Sequence, residues 1–121
     1  MVTDTYPTQP GQLSVTRSDV GGIRVVSLCG ELDRAARDAV GDALHPPAGA
    51  ERPRTVADLT GVTFMDSSGI NLLIAAHRAA DDAQGWLRVA GARQSVLRVI
   101  ELVGVDALIP CRPTVRQALE G

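Results

Sequence analysis

Between Thr55 and Ala80 the chain changes its hydrophobic period, and the change falls on Asp66-Ser67-Ser68-Gly69. Before it, Thr55-Val56-Ala57-Asp58-Leu59 and Val62-Thr63-Phe64-Met65 read as strand. After it, Ile70 to Ala80 reads as helix, with Ile70, Leu73, Ile74 and His77 in one stripe. A strand that hands over to a helix within four residues is the repeating unit of open α/β sheets. The helix should be largely buried, because Leu72, Ala75, Ala76, Ala79 and Ala80 leave little polar surface on its other sides.

The same alternation recurs on both sides. Residues 1–11 are polar, carry two prolines and have no period, which reads as a loose leader before one domain spanning residues 12–121. Gln12 to Ser18 alternates weakly, Val20-Gly21-Gly22 supplies a turn, and Ile23 to Cys29 is rich in β-branched residues, so these two runs should form a hairpin. Asp33 is placed to cap a helix that ends near Leu44, before His45-Pro46-Pro47. Downstream, Trp86 to Ala90 reads as strand, Ser95 to Val103 as helix with Gly104 as its C-cap, Ala107-Leu108-Ile109 as a short strand and Thr114 to Glu120 as a last helix. The sum is an α/β domain with a mixed, largely parallel sheet of four or five strands flanked by helices.

Composition narrows the function. Apolar residues make up 45% of the chain, yet Tyr6, Phe64 and Trp86 are its only aromatics, so the core must be built from Val, Leu, Ile and Ala. A net charge of −2 and the lack of an aromatic stacking surface argue against direct nucleic-acid binding. All twelve basic residues are Arg, which together with abundant Ala and Gly suggests a GC-rich bacterial source. Cys29 and Cys111 are far apart, have no neighbours at metal-ligand spacing and end apolar runs, so core packing is expected of both and no metal or cofactor is. No apolar stretch approaches the ~20 residues that span a bilayer, and the reading is a cytoplasmic protein without membrane contact.

Catalytic patterns are missing. The nucleophile elbow needs glycines two residues either side of its serine, but Met65 and Asp66 stand two residues before Ser67 and Ser68. His77 lies about 15 Å along the helix axis from Ser67, too far to serve as its base. Neither a Walker-type phosphate loop nor Gly-x-Gly-x-x-Gly occurs. What remains is a pair of hydroxyls at a helix start. Asp and Ser are ordinary N-caps, but the unpaired N–H groups and positive dipole end gathered there would also receive a phosphate on serine. The chain reads as a non-enzyme.

The stretch Asp58-Leu59-Thr60-Gly61-Val62-Thr63-Phe64-Met65-Asp66-Ser67-Ser68-Gly69 closely resembles the signature of the anti-sigma-factor antagonists, bacterial members of the STAS domain family. Gly30-Glu31-Leu32-Asp33 resembles the family's second hallmark, at the expected place after a strand, and the resemblance covers roughly residues 12 to 119. It implies a phosphoprotein that switches partners in transcription regulation, in stress response or sporulation. The unphosphorylated form would bind an anti-sigma serine kinase and free a sigma factor; phosphorylation would end the complex and a phosphatase would reset it. The matching acceptor is Ser67, with Ser68 as second choice, and Asp33, Asp66, Ser67, Ser68 and Gly69 would form the partner-binding surface. Where many relatives continue with Leu-Gly this chain has Ile70-Asn71, which bears on packing or partner choice. The alternative is a STAS scaffold or sensor module in a larger signalling assembly, with Ser67 only a cap.

Overall fold

The computed structural model describes residues 4–6 and 13–121. One sheet holds six strands in the order of the chain: β1 (Asp4–Tyr6), β2 (Ser14–Val20), β3 (Ile23–Leu32), β4 (Arg54–Met65), β5 (Trp86–Ala90) and β6 (Cys111–Arg112). β1, β2 and β3 pair antiparallel, and β3 to β6 run parallel, which is the mixed, largely parallel arrangement expected. The strand beyond the expected number is β1, which sets Thr5 opposite Thr16 within the stretch read as a leader. The rest of that stretch lies outside the described residues.

Parallel neighbours need crossovers, and three helices supply them. They are α1 (Arg37–Leu44), α2 (Ser67–Asp82) and α3 (Gln94–Leu102). Because the strand order is sequential, crossovers of one hand deposit all three on the same face. There Val26, Leu28, Ala57, Leu59, Leu87 and Val89 meet Val40, Leu44, Leu73, Ala76, Val96 and Ile100 in the main core. Burying each of the larger side chains is worth about 1.5–3 kcal/mol. The other face carries a smaller core of Ile23, Val25, Val56 and Ala90, covered by Ala118 of α4 (Val115–Glu120) with Val115 and Leu119 beside it.

The helix ends follow from their residues. A 3-10 turn, Arg34–Ala36, leads into α1, and its Ala36 amide donates to the Asp33 carboxylate at 3.3 Å. At the other end the Arg24 guanidinium donates to the carbonyls of Leu44 and His45 at 2.9 and 3.0 Å, a cation where the dipole favours one. Gly104, at φ 77°, follows α3 in the left-handed conformation a helix stop uses, as expected. Thr114 accepts from the Gln117 amide at 3.1 Å and caps α4.

Three sequence expectations are corrected. Ala107-Leu108-Ile109 is not a strand: Val105–Ala107 is a 3-10 turn, Leu108 is exposed, Ile109 is buried, and β6 comes two residues later. So short an apolar run carries no period to distinguish turn from strand. α2 buries only Gly69, Ile70, Leu73, Ala76 and Ala80, while Asn71, Ala75 and Arg78 face water. Alanine on the outer face costs little and favours helix, so it does not report burial. Cys29 is exposed: it shares a strand face with Ile23 and Val25, and the smaller core that α4 covers on that face stops short of it. Cys111 is half-buried, as a packing cysteine should be; burial, then the nearby Asp106 and Glu101, push its thiol pKa up.

Candidate functional site

The site is built where β3 and β4 outrun the rest of the sheet. β5 accompanies β4 only as far as the pair Asp58 and Ala90, whereas β3 stays beside β4 to the pair Leu32 and Met65. Leu32 and Met65 are buried, and the residues that follow them, Asp33 and Asp66, leave neighbouring strand ends side by side. The two segments that the sequence singles out, Gly30 to Asp33 and Asp58 to Gly69, are therefore brought together. A second register shift, between Gly30 and Glu31, leaves Thr63 as the extra residue on β4, and its hydroxyl donates to the Gly30 carbonyl at 3.3 Å.

Asp66 ends the strand and caps the helix. Its backbone is extended (φ −108°, ψ −167°), and one carboxylate oxygen accepts from the amides of Ser68 at 2.9 Å and Gly69 at 3.3 Å. The cap bonds thus belong to Asp66, and the Ser67 side chain is left exposed at the first position of α2. Ser68 is half-buried. Gly69 is required by packing: a Cβ there would stand 2.7 Å from Met65 Cγ and 2.9 Å from the Leu32 carbonyl oxygen. That close approach seats the first turn of α2 directly on the paired strand ends.

Below, the base of the extension is held by Asp58. Its carboxylate accepts from the Thr60 amide at 3.0 Å, the Thr60 hydroxyl at 2.6 Å and the Ser27 hydroxyl at 3.2 Å. Arg93 Nε donates to the Thr60 carbonyl at 3.0 Å, and Gly91, at φ +68°, lies so close to the Thr60 side chain that only a glycine fits.

Sequence reasoning missed two parts of this corner. Arg37 of α1 joins Ser68, Asn71, Leu72 and Ala75 in lining a groove of about 240 Å³ between α1 and α2. The sequence shows Asn71 only as a departure from Leu-Gly; Arg37 lies on the helix expected before Leu44, and nothing in that helix's own pattern says that it packs beside α2. Phe64, read as a strand residue, is 47% exposed beside Ser67's helix. His77 is half-buried with Nδ1 buried and without a hydrogen-bond partner, and it takes no part in the site. Among the described residues no group of three or more His, Cys, Asp or Glu side chains is placed to hold a metal ion, and no helix is long and apolar enough to cross a membrane.

Comparison with known proteins agrees with this geometry. The family model for the Mlab and STAS domain matches residues 15–110. The anti-sigma-F factor antagonist RsfB of Mycobacterium tuberculosis is 31% identical over 113 residues, covering 93% of this chain and 91% of its own. A crystal structure of an anti-sigma factor antagonist from Mycobacterium paratuberculosis superposes with a TM-score of 0.77 at 30% identity, over 94% of this chain and 97% of that one. The Bacillus cell fate determinant SpoIIAA, solved in its phosphorylated form, shares the fold with a TM-score of 0.63 at 22% identity, over 88% of this chain and 96% of its own. With the strand-to-helix corner built as described and the family model spanning most of the sheet, the chain belongs to the STAS domain family.

Proposed function

We propose that this chain is an anti-sigma-factor antagonist whose binding to an anti-sigma serine kinase is switched off by phosphate on Ser67. The observation that carries the reading is the exposed Ser67 hydroxyl at the first position of α2, with the cap supplied by its neighbour Asp66. A kinase can take that hydroxyl without dismantling the helix start. The product adds about −1.5 to −2 charges beside the Asp66 and Asp33 carboxylates, so the face changes its electrostatic character while the fold persists. Asp33, Asp66, Ser67 and Ser68 form the partner-binding surface, the buried Gly69 serving it only by seating the helix start, and Ser67 is the acceptor ahead of the half-buried Ser68. The similarity to RsfB, named an anti-sigma-F factor antagonist, supports the partner class, and SpoIIAA is a fold neighbour known in a phosphorylated form.

In this reading the protein is substrate and ligand, not catalyst; ATP and magnesium belong to the kinase, and a phosphatase restores the hydroxyl. Incubation with the anti-sigma kinases of the source genome and ATP, followed by intact mass measurement and peptide mapping, tests it. Addition of one phosphate at Ser67 by a kinase that binds the unmodified protein is the expected result. Binding to several STAS proteins regardless of phosphorylation, with no phosphate gained, would favour the scaffold reading.

A further inference from the structure

We infer that the upper part of β4, Gly61 to Phe64, is a docking edge that an extended segment of the anti-sigma partner joins as an added strand; this rests on the proposed function. In the described structure β4 is a central strand only up to Asp58, where its pairing with β5 stops at Ala90. Beyond that point β3 still pairs with it on one side, through Gly30 with Val62, Glu31 with Phe64 and Leu32 with Met65, and no strand lies on the other. Main-chain groups that alternate toward that side have no ladder to join, and unpaired edges are what folded proteins ordinarily cover or blunt.

The blunting is local. Arg93 Nε occupies the Thr60 carbonyl at 3.0 Å, which closes the edge at its lower end and leaves the residues after it. Four residues of open edge span about 13 Å at ~3.3 Å per residue, a length that suits a short extended peptide and is too small for a whole sheet.

The side chains specify the occupant further. Phe64 is 47% exposed, and its cross-strand neighbour Glu31 is exposed beside it, whereas the next pair, Leu32 and Met65, is buried. A segment with an apolar residue beside Phe64 matches this edge, and only a long basic side chain reaching across Phe64 would meet Glu31, which lies one strand further in. The edge also runs into Met65 and Asp66, so a strand laid on it ends next to Ser67. A partner that must bring a phosphoryl donor to Ser67 has to occupy this corner, and main-chain pairing would fix its register there.

The test is amide hydrogen exchange by mass spectrometry on the full chain, alone and saturated with the anti-sigma kinase found to bind it. Edge pairing predicts that amides within Gly61–Phe64 slow by about tenfold or more in the complex. It also predicts that Phe64→Ala, which lowers the thermal midpoint by a few degrees because about half of the side chain is buried, weakens binding by about tenfold at a temperature where it remains folded. If the complex forms and protection is confined to Ser67–Leu72 and the α1 face, the edge proposal is overturned while the proposed function stands. Protection of the edge that rises with concentration of the chain alone would mean that a second copy covers it, and would also overturn the proposal. If no anti-sigma kinase binds, the functional reading fails and the edge proposal fails with it.

Discussion

The Ser68 amide donates to the Asp66 carboxylate at 2.9 Å, and the same oxygen takes a longer bond, 3.3 Å, from Gly69. Helix α2 is therefore capped from the residue before the serines, and Asp66→Ala should cost about 1 kcal/mol of stability. Asp66→Asn, which keeps an acceptor oxygen, should recover most of it. Urea denaturation of the three proteins measures both differences.

Because Ser67 is exposed and Asp66 supplies the cap, Ser67→Ala should leave stability within about 0.5 kcal/mol of the parent. The same variant should keep partner affinity and accept no phosphate there. Ser67→Asp places a charge on the docking face, and its affinity for the kinase should fall by about one order of magnitude or more. Calorimetry on the three folded proteins decides: equal affinities would remove the switch.

Gly69→Ala should destabilise by about 1–3 kcal/mol through overpacking, since the new methyl meets Met65 Cγ and the Leu32 carbonyl. Combining it with Met65→Ala should relieve only the side-chain part of the clash, because the Leu32 carbonyl belongs to the backbone. The coupling is read from the double-mutant cycle in thermal melts.

The two cysteines should differ in reactivity. Cys29 is exposed and should be alkylated readily, whereas Cys111, half-buried and donating to the Ile109 carbonyl at 3.4 Å, should react slowly until the protein unfolds. Burial first, and then Asp106 and Glu101, raise the Cys111 pKa above the ordinary thiol value of 9.0. The folded state thus holds its proton more tightly than the unfolded state. Its contribution is fully present below about pH 9 and is lost as pH rises from there through the folded pKa. Stability measured across that alkaline window should decline less in Cys111→Ala than in the parent.

Much of this was legible from the chain because the informative segments carry strong local signals. Trp86–Ala90 forms the strand its pattern predicts, and Asp66 caps a helix where Asp followed by an apolar period says it should. Two things were not local. The two runs read as strand join through Thr60 and Gly61 into one long β4 only because β3 stays alongside, which two register shifts permit and no single-strand period reveals. The same end of the sheet leaves Cys29 and Phe64 exposed, because the core under α4 takes in Ile23, Val25, Val56 and Ala90 and stops short of both. Arg37 and Ser68 share a groove only because α1 and α2 pack together, at a point where Gly41 faces Leu72.

The sequential strand order also bears on how the molecule is assembled. Every strand finds its sheet neighbour in the next strand of the chain, so each new unit emerging from a ribosome can add to a template already made. The main layer of helices grows with it, crossover by crossover. The opposite face has no such schedule: Ile23, Val25 and Val56 wait for Ala118, on a helix that follows every strand. During synthesis that apolar surface stays open longest, and it is the face on which a nascent chain would need protection from its neighbours.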